Sequence, residues 1–117
     1  MAGKDLIDVL LEIRAEKRRC YEEVWEYARL IRDVARRRDP SARVLLFGSF
    51  VKGSMRPDSD IDVLVITDEA ALLDRRLGLR VEIVREIGEA TPFQLHVVTP
   101  AEYDRWYKRF VDRWVEV

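Results

Sequence analysis

The run Ile61–Thr67 constrains the fold more than any other stretch of the sequence. It reads IDVLVIT and is almost continuously apolar, which is typical of a strand that is buried on both faces of a sheet. Two further apolar runs, Arg43–Phe47 and Phe93–Val98, also have the length of strands. Helical patterns separate the three runs, so the sequence predicts an α/β domain in which helices flank a small sheet.

A helical pattern fills residues 4–38, where apolar side chains recur at spacings of three, four or seven. The segment is interpreted as one long helix or two in tandem, with a possible break at Lys17. An unbroken helix would be about 50 Å long, so part of its apolar stripe either meets a partner or packs on the sheet. We predict a single domain over residues 1–117, with a helical extension at 1–39 and a core at 40–117.

Two more helices are predicted on either side of the third strand. Residues 69–88 have a helical pattern, although residues 79–84 also alternate as a strand would, and both interpretations stay open. Thr99, Pro100 and Glu102 form the signature of a capped helix start. The helix that follows carries an aromatic stripe, interpreted as core, made of Tyr103, Trp106, Tyr107, Phe110 and Trp114.

Composition argues against several classes of function. The 21 basic and 22 acidic residues give a net charge of −1, which disfavours a bulk electrostatic grip on nucleic acid or on a membrane. A single cysteine, Cys20, and a single histidine, His96, exclude an internal disulfide and a multi-histidine metal site. Neither a signal peptide nor an apolar run of about 20 residues is visible, so a cytoplasmic location is expected. Abundant charges with no asparagine suggest a thermophilic source.

Two aspartates stand at the start of the second strand. Asp60 and Asp62 are two residues apart, so their side chains are expected on the same face. Carboxylates this close repel each other, and a divalent cation such as Mg²⁺ or Mn²⁺, which prefers oxygen ligands, relieves the repulsion. The alternative is that Asp60 only completes a turn. Asp62 lies inside a buried strand and needs a partner or a metal.

Gly48 and Ser49 follow the first strand and begin a short turn and helix that is predicted to extend to Met55. Glycine allows a phosphate to approach the backbone closely. The first N–H groups of the helix and the Ser49 hydroxyl can donate to phosphate oxygens, and Lys52 adds a positive charge one turn later. Together with the two aspartates, these residues predict a nucleoside triphosphate site, although each half alone is also an ordinary turn sequence.

The string GSFVKGSMRPDSDIDVLV, in which ten residues separate Gly-Ser from Asp-x-Asp, resembles the DNA polymerase β-like nucleotidyltransferase superfamily. It looks most like the minimal nucleotidyltransferases, which are often paired with a HEPN-domain protein. The resemblance is close over residues 48–65 and looser over 40–110. It implies that the small sheet is mixed and is flanked by helices. It implies that Gly48 and Ser49 hold the triphosphate of a nucleotide, with ATP as the expected one. It also implies that Asp60 and Asp62 bind Mg²⁺.

The resemblance also implies a third carboxylate on a later strand, which helps to ligate the metal and can accept the proton of the attacking hydroxyl. In this sequence the matching positions are Gln94 and His96, and neither is an acid. Gln94 can ligate a metal through its carbonyl oxygen but cannot act as a base. His96 is either a base near neutral pH or a buried structural histidine. Glu82 is a remote candidate if residues 79–84 form a strand.

Three functions follow from these observations. The first is an enzyme that transfers AMP from ATP to an acceptor, with a HEPN-type toxin as the expected partner. The second is an antitoxin that binds nucleotide but neutralises its partner by contact. The third is a plain α/β domain whose aspartates finish a turn. A nucleic acid acceptor is less expected because of the balanced charge, no membrane partner is expected, and a homo-oligomer through the N-terminal helix is possible.

Overall fold

The computed structural model of the protein describes residues 3–54, 56, 59–109 and 111–117. The helices are α1 (Leu6–Glu22), α2 (Val24–Arg38), α3 (Ser49–Lys52), α4 (Leu73–Ile87) and α5 (Pro100–Arg105), with short 3₁₀ turns at Asp68–Ala71 and Tyr107–Arg109. The strands are β1 (Arg43–Phe47), β2 (Ile61–Ile66), β3 (Phe93–Val98) and β4 (Trp114–Glu116). The predicted α/β fold, with helices around a small mixed sheet, is confirmed.

The sheet has the strand order β3-β2-β1-β4. β1 is antiparallel to both of its neighbours, β2 and β4, whereas β2 and β3 are parallel. The three apolar runs therefore form strands as predicted, with β2 ending one residue earlier. β4 was not predicted.

Helices α2 and α4 cover one face of the sheet and form the main core with it. Ile31 and Val34 of α2, Leu79 and Ile83 of α4, and Val63 of β2 have no exposed surface and lie in one cluster. A smaller cluster lies on the opposite face, where Tyr103 and Tyr107 pack against buried side chains of the strands, which are Leu45, Leu64, Ile66 and Val98. Neighbouring residues of a strand point to opposite faces, so β1, β2 and β3 each contribute to both clusters.

The N-terminal segment forms two helices in tandem, which is one of the two predicted arrangements. The break lies at Glu23, whose backbone angles (φ −119°, ψ 35°) leave the helical region, and not at Lys17. Lys17 is exposed within α1, where a charged side chain does not interrupt the backbone hydrogen bonds. α1 contributes only Cys20 as a buried side chain, whereas Leu6 is 73% and Leu10 is 54% exposed.

Residues 79–84 are helical, so their interpretation as a strand is wrong. The spacing of Leu79, Ile83 and Ile87 places all three against the main core. Glu82 lies on α4 and accepts a hydrogen bond from Arg38 of α2 (2.6 Å). Both helices cover the face of the sheet opposite to Asp62, so Glu82 is excluded as a third acid beside the aspartates.

The start of the last helix is confirmed, but its predicted length is wrong. The Thr99 hydroxyl accepts from the Glu102 N–H (3.1 Å), and the Glu102 carboxylate accepts from the Thr99 N–H (3.0 Å), which closes the capping box. The helix ends at Arg105, and Trp114 belongs to β4. Trp114 pairs there with β1, a long-range contact that helical spacing alone could not reveal. Trp106 is 57% exposed, not core, and Phe110 lies outside the described residues.

None of the described helices is both long enough and apolar enough to cross a membrane.

Candidate nucleotide and metal site

Four side chains form a row across the face of the sheet that carries the smaller cluster. Asp62 is the register partner of Phe47 on one side and of Gln94 on the other, and Phe47 is also the partner of Trp114. Register partners point to the same face. The row, which we call the site row, therefore reads Trp114, Phe47, Asp62, Gln94 across the strands β4, β1, β2 and β3.

Gly48 lies in direct contact with the Asp62 carboxylate. Its backbone angles (φ 80°, ψ −152°) belong to a region that is almost restricted to glycine. A Cβ at this position would collide with Asp62 Oδ2 and would lie 3.2 Å from Asp62 Cγ. The turn after β1 thus lies directly against the Asp62 carboxylate, and position 48 has no room for the Cβ of any other residue.

The turn continues directly into α3, a helix of one turn. Gly48 is its N-cap residue and offers no side chain that could accept a hydrogen bond from the first N–H groups. Gly53, in the left-handed region (φ 72°), ends the helix, and its N–H donates to the Phe50 carbonyl (3.4 Å). The first N–H groups of any helix lack intrahelical acceptors, so the Gly48–Ser49 turn presents donors beside Asp62. The helix therefore ends at Lys52, short of the predicted Met55, which itself lies outside the described residues.

Lys52 points toward the segment that leads to β4. Its Nζ lies 3.1 Å from Asp112 Oδ1. This hydrogen bond from Lys52 holds the pKa of the Asp112 carboxyl below its ordinary value. The structure therefore places Lys52 on the predicted helix, where it forms an ion pair with Asp112.

Asp60 is exposed and directly precedes β2. The next residue, Ile61, is fully buried, and its N–H donates to the Pro92 carbonyl (2.8 Å), which fixes the beginning of β2 beside β3. Within the described part of the chain, no group of three or more His, Cys, Asp or Glu side chains is arranged to hold a metal ion. The available donors are the carboxylate oxygens of Asp60 and Asp62, which suit Mg²⁺ or Mn²⁺.

His96 lies one step along β3 from the site row, opposite Leu64. Its Nε2 is 3.6 Å from Asp62 Oδ1, beyond hydrogen-bond distance. The imidazole packs between Phe47 (ring centroids 5.6 Å apart) and Tyr107 (5.8 Å, edge-on). Nε2 is buried and has no hydrogen-bond partner among the described residues. The ring is thus held firmly, with an unpaired nitrogen on the side of Asp62.

Gln94 is exposed and stands beside Asp62 on the neighbouring parallel strand. Adjacent strands are about 4.8 Å apart, so Gln94 lies next to Asp62, at one of the two positions where the resemblance implies a third carboxylate. The structure brings Gly48, Asp62, Gln94 and His96 together at one end of this face.

Sequence reasoning missed three residues around the site. Asp112 contacts Lys52, Tyr107 contacts His96, and Trp114 ends the site row. Trp114 and Val115 are residue types that favour strands, but the aromatic spacing of the preceding segment favoured a continuing helix.

Comparisons with known proteins identify the fold and the family. A family model described as "Nucleotidyltransferase domain" matches residues 28–116. A crystal structure described as a "putative nucleotidyltransferase" is 27% identical, with a TM-score of 0.64, and the match covers 74% of this chain and 92% of that one. Another, from Sulfolobus solfataricus and described in the same words, is 21% identical with a TM-score of 0.54, covers 98% of this chain and 87% of that one, and shows likeness of fold.

No match was found among the curated proteins. The matched residues extend from α2 to β4 and include the whole sheet, the Gly48–Ser49 turn and both aspartates. The resemblance first recognised in residues 48–65 is thereby confirmed at the level of the family. The chain belongs to the nucleotidyltransferase domain family, a family of transferase enzymes.

Proposed function

We propose that the protein transfers AMP from ATP to a hydroxyl group of a HEPN-type partner protein, in a reaction that requires Mg²⁺ or Mn²⁺. Nucleotidyl transfer is the activity of its family. The identities of the nucleotide, the metal and the acceptor are what we propose. The contact between Gly48 and the Asp62 carboxylate supports it best, because it joins a backbone suited to phosphate with an oxygen ligand suited to a divalent cation.

In the proposed reaction the acceptor oxygen bonds to the α-phosphorus of ATP. The bond from that phosphorus to the oxygen shared with the β-phosphate breaks, and pyrophosphate leaves. Gly48 and Ser49 hold the phosphates with their N–H groups and the Ser49 hydroxyl, and Lys52 contributes positive charge. Asp60 and Asp62 would hold the divalent cation, which supplies charge that offsets the phosphate oxygens.

The acceptor hydroxyl must also lose a proton. Gln94 cannot take it, and we propose that it contributes an amide oxygen beside Asp62 instead. His96 is the candidate base that takes this proton, because its Nε2, which has no hydrogen-bond partner, lies 3.6 Å from Asp62 Oδ1. Phe47 and Tyr107 fix the orientation of the ring.

A second candidate function is an antitoxin that binds nucleotide but neutralises its partner by contact alone. The amide at position 94, where the family resemblance implies an acid, favours it. So does α1, whose exposed apolar side chains include Leu6, Ile7, Leu10 and Leu11. We propose α1 as the contact for the HEPN-type partner. The alternative occupant is a second copy of the chain, and light scattering of the isolated protein separates the two, since only self-pairing gives a dimer without the partner.

The deciding experiment is the intact mass of a co-purified HEPN-type partner after incubation with ATP and Mg²⁺. We expect a gain of one or more AMP units with the wild-type chain and no gain with the Asp60→Ala/Asp62→Ala variant. Asp33→Ala, an exposed aspartate on α2, is the matched control and should leave the gain intact. A stable complex without any gain would instead support the contact-only antitoxin.

The interpretation as a plain domain has its own test. A ligand at 100 times its Kd stabilises a fold by about 2.7 kcal/mol, so ATP with Mg²⁺ should raise the melting temperature of the wild-type chain. If saturating nucleotide has no effect on melting, the aspartates only finish a turn.

A further inference from the structure

We infer that Trp114 provides the surface on which the base of the bound nucleotide stacks, and that the site therefore prefers purine nucleoside triphosphates. This inference rests on the proposed nucleotide site and adds the half of that site which recognises the base.

The position of Trp114 in the sheet is the first argument. Trp114 ends the site row, on the same face as Asp62 and two strands away from it, with Phe47 between them. Strands lie about 4.8 Å apart, so roughly 10 Å of sheet surface separates the two side chains. A nucleotide whose phosphates lie at the Gly48–Ser49 turn beside Asp62 has its base displaced from them by the length of the ribose and phosphates, a distance of this order. Trp114 lies at about this distance from Asp62, on the same face of the sheet.

The exposure of Trp114 is the second argument. Its side chain is 44% exposed, whereas Phe47, its neighbour in the row, packs against the smaller cluster. Of the other tryptophans, Trp25 packs edge-on against Phe50 (ring centroids 6.1 Å apart), and Trp106 lies on the turn after α5, off the sheet. A partly exposed indole at the edge of the sheet offers a flat π-system on which a nucleobase can stack.

The attachment of Trp114 to the phosphate turn is the third argument. Asp112, two residues before Trp114, pairs with Lys52 of α3. Val111 is buried in the smaller cluster. The first contact joins the approach to β4 to the helix that follows Gly48, and the second anchors this approach on the sheet. Trp114 is thus attached to the same part of the fold as the phosphate turn.

Stacking also determines the expected selectivity. A base that is held through its π-face is recognised mainly by its area, since stacking does not read hydrogen-bond donors and acceptors. A two-ring purine covers more of the indole than a one-ring pyrimidine. We therefore expect ATP and GTP to bind with similar affinity, and both to bind more tightly than CTP and UTP.

Calorimetric titration of the full chain with Mg-ATP and with Mg-tripolyphosphate, which has no base, tests the inference. Trp114→Leu, which keeps an apolar side chain in β4, should weaken ATP binding about tenfold, within the range found for loss of a base stack. It should leave tripolyphosphate binding unchanged. Trp114→Phe should retain most of the affinity for ATP, and Trp106→Leu, the matched control, all of it.

Three results would overturn the inference: ATP binding that Trp114→Leu leaves at the wild-type value, an equal loss with Trp106→Leu, or no preference of the wild-type chain for purines. A failure of the nucleotide site itself looks different, because the wild-type chain would then bind neither ATP nor tripolyphosphate. If Trp114→Leu also abolished the binding of tripolyphosphate, Trp114→Phe would be the deciding variant. A Trp114→Phe chain that binds tripolyphosphate but has lost ATP binding would contradict the stacking role.

Discussion

The carboxylate of Asp62 lies against the backbone of Gly48, and no space for a Cβ is left between them. The two residues are on different elements, one at the end of β1 and one in β2, and the antiparallel register that pairs Phe47 with Asp62 brings them together. The contact therefore depends on the sheet and on the glycine at the same time.

Replacement of Gly48 by alanine should destabilise the fold more than the same change at Gly53. Both glycines have positive φ, but the Cβ at position 53 meets no atom within 4 Å, whereas the one at 48 collides with Asp62. A strained residue of this kind costs about 1–3 kcal/mol. We expect Gly53→Ala near the lower end and Gly48→Ala at or above the upper end, measured as free energy of unfolding in urea.

Asp62→Ala completes this test, because it removes the carboxylate with which a Cβ at position 48 would collide. In the Gly48→Ala background it should recover part of the lost stability, so that the two changes are not additive. Strict additivity, or equal costs at positions 48 and 53, would show that the contact does not determine the choice of glycine.

A carboxylate at position 94 should increase the rate of transfer. Gln94 is the register partner of Asp62 on β3, the place where the resemblance implies an acid. General base catalysis contributes roughly 10²–10⁴-fold, so Gln94→Glu should raise the single-turnover rate measurably, whereas Gln94→Ala should not. If Gln94→Glu only weakens metal binding and leaves the rate unchanged, the site does not depend on a third acid.

His96→Phe separates a catalytic role from a structural one. Phenylalanine retains the ring contacts with Phe47 and Tyr107 and removes the unpaired buried Nε2. Since an unsatisfied buried group costs about 1–3 kcal/mol, the free energy of unfolding should stay the same or rise. Transfer should fall by roughly 10²–10⁴-fold if His96 takes the proton. Full activity in this variant would assign His96 to packing alone.

Asp39 should make the fold sensitive to acid. The Ser41 hydroxyl (2.7 Å) first, then the Thr67 hydroxyl (2.7 Å) and the N–H groups of Ser41 and Asp68, hold the pKa of its carboxyl below the ordinary value. A pKa lowered by folding adds stability above the unfolded value, near 3.9, and this stability is lost as the pH falls through the folded pKa.

Urea unfolding between about pH 6 and about pH 3, which spans that unfolded value, measures the effect of Asp39. The wild-type chain should lose stability over this range, and Asp39→Asn should be less stable at the upper pH and show a weaker dependence. Asp33→Asn, on the exposed side of α2, is the control. An equal slope in wild type and Asp39→Asn would rule out this contribution.

Shortened chains test the predicted division into an extension at 1–39 and a core at 40–117. A chain that begins at Arg19 keeps Cys20 and all of α2 and should fold. A chain that begins at Pro40 loses the fully buried Ile31 and Val34, and each large core side chain contributes about 2–5 kcal/mol against a total stability of 5–15. It should not unfold cooperatively in circular dichroism. If it does, the boundary at residue 39 is correct.

The sequence predicts those parts of the fold that local patterns determine. The strands β1, β2 and β3 are continuous apolar runs, and the capping box of α5 is a four-residue signature. β4 escaped prediction because three residues carry little periodicity and because its partner, β1, lies far away in the chain. The break at Glu23 has no proline or glycine to mark it.

The candidate site also combines features that local sequence predicts with features that depend on long-range strand pairing. Gly48, Ser49, Asp60 and Asp62 are close in sequence, and their spacing predicts one candidate site, in which the structure places Gly48 against Asp62. The collision that excludes a side chain at Gly48, and the position of Gln94 beside Asp62, come from register between strands. The place of Trp114 depends on pairing across about 70 residues of chain, which no local pattern encodes.

The short strand β4 also protects the protein against unwanted association. An open edge of β1 would present a ladder of backbone groups to any extended chain, which is a common route to aggregation. β4 covers that edge with only three residues, and Glu116 is held there by Arg43 (2.7 Å). A short edge strand that carries a charge is a poor template for a further strand. At the β4 edge, the protein therefore disfavours the addition of a strand from another chain.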